Sequence, residues 1–262
     1  MHVPRSLRLI LLASACLLLA SGSSRAAEST QPEAAPADLQ IYLLIGQSNM
    51  AGRAPFEGDD AAAINRCFLF DDQGSWEPAT NPFNRYSTVR KNLGMQKMNP
   101  GYGFAQRMLE AQPTARIGLV VNAKGGTRIE EWRDGATLYE AAVKRVLAAK
   151  ETGTLTGVLW HQGEGNASKP EAYLAQLTTL VTNLRRDLGE PDLPFVAGQI
   201  FGEQPINAEI AKLPDTLPHT GVAASEGLTV MDRWHFDTPS MKELGRRYAE
   251  AMLSIEAANH GE

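Results

Sequence analysis

Short, nearly continuous apolar runs recur along the chain, each ending in a polar or Gly-rich loop. Leu39 to Ile45 stops at Gly46, and Cys67 to Phe70 stops at Asp71-Asp72. Ile117 to Val121, Val158 to Trp160, Phe195 to Ile200 and the weaker Leu228 to Met231 repeat the theme. Apolar residues at every position, not every second one, mark strands buried on both faces. Between these runs lie helical patterns over Phe104 to Ala111, Leu138 to Ala149 and Glu171 to Leu188. Pro239 sits at a first helical position before a final amphipathic stretch, Met241 to Ala257. Strands alternating with helices predict an α/β domain with a central, mostly parallel sheet and helices on both faces. Ligands of such sheets bind beyond the carboxyl ends of the strands. The polar residues that follow each run are therefore expected on one rim.

The first residues follow a different rule. Arg5 and Arg8 precede an apolar run from Leu9 to Ala20, and small and polar residues follow. That order describes a secretory signal peptide over 1–26, cleaved near Ser24-Arg25-Ala26. The run is short for a bilayer span, which needs roughly 20 apolar residues. Cys16 stands after Ala-Ser-Ala as a lipoprotein acylation site would have it, but Leu17 to Leu19 continue the apolar run beyond it, and no anchoring there is expected. Residues 27–38, rich in Ala, Pro, Glu and Ser, read as a disordered spacer. This leaves 39–258 as one domain, with no internal repeat and enough chain for one sizeable core. A secreted or periplasmic location follows as an expectation.

Charge narrows the partners. The whole chain carries −5. The leader holds three arginines and no acid, so the rest sets 22 basic against 30 acidic residues, a balance of −8. Such a surface opposes binding to nucleic acid or anionic membranes, and it is compatible with carbohydrate without selecting it. With Cys16 in the leader, Cys67 has no partner for an internal disulfide.

Four segments on the expected rim carry chemistry. Gly46-Gln47-Ser48-Asn49 follows the first run, and a Ser at a strand-to-helix turn can expose its Oγ beside backbone N–H groups. Met50 departs from the G-x-S-x-G elbow, and an ordinary capping Ser would give the same short pattern. Lys124-Gly125-Gly126-Thr127 follows the third run; paired glycines let backbone approach a ligand or simply make a tight turn. Trp160-His161-Gln162-Gly163-Glu164 offers Gln162 as an amide donor to an oxyanion. Its His161 and Glu164 lack any H-E-x-x-H or Cys/His cluster, so no metal is expected. Asp232-Arg233-Trp234-His235 lies in a late loop, where Asp232 can orient His235 as a base toward Ser48. Of the four histidines after the leader, His161, His219, His235 and His260, only His235 has an Asp three residues before it in a late loop.

Together these blocks resemble the SGNH hydrolase superfamily, and within it the sialate O-acetylesterase-like and family-six carbohydrate acetylesterase branch. The matching text is IGQSNMAGR at 45–53, GGTRIEEW at 125–132, LWHQGEGNA at 159–167 and DRWHFD at 232–237, in family order. The resemblance implies a three-layer α/β/α flavodoxin-like domain and a serine esterase that removes O-acetyl groups from carbohydrate, acetylxylan or a related polysaccharide, without a cofactor. It implies Ser48 as nucleophile, His235 as base and Asp232 as its orienting partner. The oxyanion hole would join the N–H groups of Ser48 and Gly126 to the side chain of Gln162, where many superfamily members have Asn. Arg128 stands where relatives often carry a small polar residue. A sialate O-acetylesterase or another short-chain esterase, a lipase or a thioesterase remain alternatives, as does a non-catalytic carbohydrate-binding protein on the same fold.

Other residues near the motifs have two readings each. Trp132 and Trp234 can stack on sugar rings or fill the core, and Asn49 and Thr127 can support the site or touch substrate. Glu164 is expected to brace the loop around Ser48 and Asn49 more than to transfer protons. Asn166-Ala167-Ser168 is formally a glycosylation acceptor, read as accidental beside the cleft. Lys91 and Lys97, in the polar loop from Asn81 to Gly101, line the cleft rim or belong to a solvated face.

Overall fold

The computed structural model describes His2 and residues 38–260; apart from His2 the proposed signal peptide, and all but the last residue of the spacer, lie outside them. A seven-stranded sheet runs β1 (Leu39–Gly46), β2 (Cys67–Phe70), β3 (Trp76–Pro78), β4 (Arg116–Val121), β5 (Gly153–His161), β6 (Phe195–Gly198) and β7 (Thr220–Ala223). Its spatial order is β3-β2-β4-β1-β5-β6-β7, parallel except where β3 pairs antiparallel with β2 at the edge. Strands β1, β4, β5, β6 and β7 alone follow the flavodoxin-like order 2-1-3-4-5, with β2 and β3 added outside β4.

Helices α1 (Ser48–Ala51), α2 (Gly101–Ala111), α3 (Thr137–Lys150), α4 (Tyr173–Leu188), α5 (Pro205–Ala211), α6 (Leu213–Thr216) and α7 (Thr238–His260) complete the layers. The two faces of β1 explain its apolar run, interrupted only at Gln40. Tyr42 and Leu44 pack with Phe104 and Met108 of α2 and Leu244 and Tyr248 of α7. Leu39, Ile41, Leu43 and Ile45 pack on the other side with Val146 of α3 and Leu177 and Leu184 of α4. Alternate side chains of one strand thus feed two cores, and each buried Leu or Ile contributes about 1.5–3 kcal/mol.

Two parts of the sequence reading change. Leu228 to Met231 is not a strand. Only Val230 bridges, to Phe236, and Met231 is exposed, so the segment forms a turn that returns the chain before α7. The seventh strand is instead Thr220–Ala223, short and split by a glycine. The final helix begins at Thr238, one residue before Pro239, because Asp237 caps it: its Oδ1 accepts the Ser240 N–H at 3.0 Å. Helices α5 and α6 carry too few residues for their periodicity to stand out.

The sheet order places a switch point at β1. The chain leaves β1 toward β4 on one side and toward β5 on the other. The loops that follow β1, β4 and β5 therefore open around one crevice at the strands' carboxyl ends.

Candidate active site

Ser48 is the first residue of α1, two positions beyond the end of β1. The turn depends on Gly46, whose φ of +137° suits no side chain. A Cβ there would stand 2.1 Å from the His161 carbonyl oxygen, and the Gln47 N–H donates to that same oxygen at 2.8 Å. β1 and β5 are thereby locked together directly under Ser48. Gly125 makes a second close approach, since a Cβ on it would meet the Arg53 Nη2 at 2.6 Å and the Ser48 Cβ at 3.4 Å. Neither the Ser48 nor the Gly126 backbone N–H finds an acceptor among the described residues. Both residues line the cleft of Ser48, so two backbone donors there have no protein acceptor.

His235 reaches this space from the loop before α7. Its Nδ1 lies 2.7 Å from Asp232 Oδ2, while Asp232 Oδ1 accepts the backbone N–H groups of Trp234 and His235, each at 2.8 Å. Partial burial pushes the Asp232 carboxyl up. The hydrogen bonds from Trp234 and from the His235 ring and backbone outweigh this and hold it at about 2. A charged Asp232 then keeps the proton on Nδ1 and leaves Nε2 as the basic nitrogen. Ser48 and His235 line one open cleft of about 500 Å³, together with Gln47, Arg53, Lys91, Met95, Gly126, Arg128, Glu164 and Trp234. Ser48 Oγ does not hydrogen-bond His235 in this structure; the two share the cleft, and catalytic hydrogen bonds commonly close only around substrate.

Asn49 positions the base from behind. Its Nδ2 donates to Glu164 Oε1 at 2.7 Å and to the Trp234 carbonyl at 3.1 Å, and its Oδ1 accepts the Phe236 N–H at 3.3 Å. The two residues flanking His235 are thus held by one side chain. Glu164 braces the loop through Asn49, as expected from the sequence. His161, wholly buried, supports the same layer. The Tyr248 hydroxyl donates to the Trp160 carbonyl at 2.6 Å, so the contact of 3.0 Å to His161 Nδ1 requires that nitrogen to carry the proton. Burial drives the Tyr248 phenol well above its ordinary range, which keeps that hydroxyl proton in place.

Gln162 corrects the sequence reading. Its side chain is wholly buried and does not line the cleft. Its Nε2 faces the Thr127 carbonyl at 3.1 Å, Asn166 Oδ1 at 2.9 Å and Gln47 Oε1 at 3.1 Å. Asn166 Oδ1 also accepts the Ile129 N–H at 3.0 Å, and a backbone carbonyl can only accept, so the amide nitrogen must point this way. The donor expected at the oxyanion is committed one layer behind it. Gln47, which the sequence did not single out, takes the place on the cleft wall.

The remaining expectations separate cleanly. Trp234 is on the cleft wall, whereas Trp132 is core, edge-on to Trp160 at 5.3 Å, with its Nε1 donating to Thr127 Oγ1 at 3.1 Å. Thr127 is buried and serves that contact, while Arg128 reaches the cleft. Asn166, the formal glycosylation acceptor, is buried and donates to the Glu130 carboxylate. Lys91 lines the cleft, its Nζ 3.3 Å from where a Gly126 Cβ would stand, and Lys97 does not line it. The loop carrying Lys91 is tied to the end of β4 by Asn84, whose Nδ2 donates to the Ala123 carbonyl and whose Oδ1 accepts the Ala123 N–H, both at 3.0 Å. Cys67 is buried and unbonded to another sulfur, and burial pushes its thiol up. Among the described residues no three His, Cys, Asp or Glu side chains converge as a metal centre requires. Gln47 and Arg53 stand within the first matching block, where the sequence assigned them no role, and Met95 had no signal beyond its place in a polar loop.

The chain is similar to known proteins over most of its length. The sequence profile of a family described as SASA, carbohydrate esterase, sialic acid-specific acetylesterase, matches residues 38–254. The Arabidopsis thaliana protein named probable carbohydrate esterase At4g34215 is 32% identical over 238 residues, spanning 82% of this chain and 90% of that protein. The X-ray structure of the Arabidopsis thaliana protein AT4G34215 superposes with a TM-score of 0.74 at 30% identity, covering 84% of this chain and 99% of the other. XAC1771, a carbohydrate acetylesterase from Xanthomonas citri, shares the fold at 23% identity, with a TM-score of 0.59 over 85% of this chain and 57% of that one.

Proposed function

The chain belongs to the SASA family of carbohydrate esterases and is a carboxylic-ester hydrolase of the carbohydrate acetylesterase kind; from that premise we propose that it deacetylates an O-acetylated polysaccharide outside the cytoplasm through an acetyl-Ser48 intermediate. The observation that carries this reading is the Asp232–His235 pair facing the Ser48 cleft, with the free N–H groups of Ser48 and Gly126 beside it. The leader over 1–26 supports export.

His235 Nε2 takes the proton as Ser48 Oγ attacks the acetyl carbonyl carbon. The carbonyl oxygen becomes an oxyanion held by the N–H groups of Ser48 and Gly126. Collapse breaks the bond to the sugar oxygen, which takes the proton from His235 and leaves as the free hydroxyl. A water then gives its proton to His235, attacks the acetyl-serine, and releases acetate with Ser48 restored. Asp232, charged throughout this cycle, balances the imidazolium in each half-reaction. Gln162 supports the hole indirectly, by fixing the Thr127 carbonyl and Gln47.

Ser48→Ala tests the assignment. It is expected to abolish both p-nitrophenyl acetate turnover and fluorophosphonate labelling while circular dichroism stays unchanged. Turnover near the wild-type level would remove Ser48 as the nucleophile. Acetate release from acetylated xylan, glucomannan and sialic acid, compared side by side, then ranks the natural alcohol; a stronger preference for octanoyl over acetyl esters would overturn the acetylesterase reading.

A further inference from the structure

The cleft of Ser48 is not the only cavity on this rim. A larger one, of about 720 Å³, is lined by Arg90, Lys124, Arg133, Glu131, Thr137 and neighbouring backbone. Their linings are neighbours along the chain. Arg90 faces the second cavity and Lys91 the first; Lys124 faces the second and Gly125 the first. Consecutive Cα atoms are about 3.8 Å apart, so the two linings approach each other at 90–91 and at 124–125. Glu131 of the second cavity also accepts the backbone N–H of Arg128 of the first, at 2.8 Å.

Their charge is opposite to that of the protein. The chain carries −5, yet three cations line the first cavity, Arg53, Lys91 and Arg128, and three line the second. Among the described residues none of the six forms an ion pair with a carboxylate. Elsewhere about half of the described cations do: Arg85, Arg107, Lys150, Arg186, Lys212, Lys242, Arg246 and Arg247. The nearby acids are engaged in other ways: Glu131 and Glu164 by the hydrogen bonds already described, and Glu130 by Asn166. Arg90 is held in place by its Nη1, which donates to the Ser87 carbonyl at 2.6 Å. The first turn of α3, whose cap residue Ala136 offers its N–H groups no side-chain acceptor, opens into the same second cavity. It adds the positive end of a fourteen-residue helix to the three side chains. A row of unpaired cations beside a sugar-binding cleft is built for an anion, and the planar forks of Arg90 and Arg133 match a carboxylate.

We infer that the cavity of Arg90, Lys124 and Arg133 is a subsite for a carboxylate-bearing sugar, so that the enzyme takes an acidic glycan with the acetylated residue at Ser48 and a uronate neighbour in the second cavity. The inference rests on the acetylesterase reading of the Ser48 cleft and adds to it the charge and the minimum length of the substrate. The test compares acetate release from O-acetylated uronate oligosaccharides, as free acids and as their methyl esters, with p-nitrophenyl acetate as the small-ester control. Wild type is expected to favour the free acid by on the order of tenfold in kcat/KM, mainly through KM, as three partly exposed ion pairs supply. The gap should shrink as salt is raised. Arg90→Gln, Lys124→Gln and Arg133→Gln are each expected to lose about three- to fivefold on the free acid, and nothing on the methyl ester or on p-nitrophenyl acetate. Equal wild-type rates on free acid and methyl ester would overturn the subsite while leaving the esterase reading intact, as would variants that lose equally on both. No acetate from either oligosaccharide, with acetylated xylan and p-nitrophenyl acetate still cleaved, would overturn this inference and leave the acetylesterase reading standing; loss of acetate release from every acetylated carbohydrate would overturn both.

Discussion

Asn49→Ala removes the one side chain that holds the chain on both sides of His235. Three hydrogen bonds are lost: the donation to the buried Glu164 carboxylate at 2.7 Å, the donation to the Trp234 carbonyl at 3.1 Å, and the acceptance from Phe236 N–H at 3.3 Å. A bond to a charged group is worth about 1.5–3 kcal/mol and each neutral one about 1 kcal/mol. The contributions overlap, so the expected loss is about 3 kcal/mol, or roughly 6–12 °C in Tm for a domain of this size. The rate effect is separate. With the residues flanking His235 released, the base no longer holds its position to within an ångström, and that misplacement costs on the order of 100-fold. Urea unfolding measures the first number, and p-nitrophenyl acetate kinetics well below Tm measure the second. Fluorophosphonate labelling of Ser48 should slow by a similar factor, because it draws on the same base. A variant destabilised as expected, with kcat within about twofold of wild type, would show that Asn49 is structural only and refute the clamp.

Two further outcomes follow from the same geometry. Gln162→Ala leaves the Thr127 carbonyl and Asn166 Oδ1 each short of a donor; denaturant melts should show a loss of about 1–3 kcal/mol. An unchanged stability with a kcat loss of about 100- to 1,000-fold would instead return Gln162 to direct contact with the oxyanion. Asp232→Asn should lower kcat on p-nitrophenyl acetate by roughly 10³–10⁴. Because the Asp232 carboxyl is held at about 2, below its ordinary 3.8, its stabilising share is fully present above the unfolded value and is lost as pH falls through the folded one. The stability difference between wild type and Asp232→Asn should therefore be constant above about pH 4 and fade toward pH 2; a difference that fades near neutrality would contradict the assignment.

The sequence by itself determined the layers and the rim. Leu39 to Ile45 is apolar at every position but Gln40 because each face of β1 meets a separate core, and that duplication shows in composition alone. The motifs at the ends of β1, β4 and β5 were legible for a related reason: strand ends in a parallel sheet fall together at a switch point, whatever their separation along the chain. Asp232 and His235 could be paired because three residues of turn suffice to close their hydrogen bond. What tertiary structure alone decided concerns direction. β7 buries little and breaks its pattern at Gly221, so Leu228 to Met231, more apolar, looked the better strand although only Val230 pairs, in an isolated bridge to Phe236. Gln162 stands in the right motif, but an amide goes where acceptors lie, and Thr127, Asn166 and Gln47 supply them behind the cleft. Trp132 and Trp234 are alike in sequence context and opposite in placement. The six cations of the two cavities come from segments spread from Arg53 to Arg133. In a chain of net negative charge no local window reveals them as a group, because charge adds in space and not along the backbone.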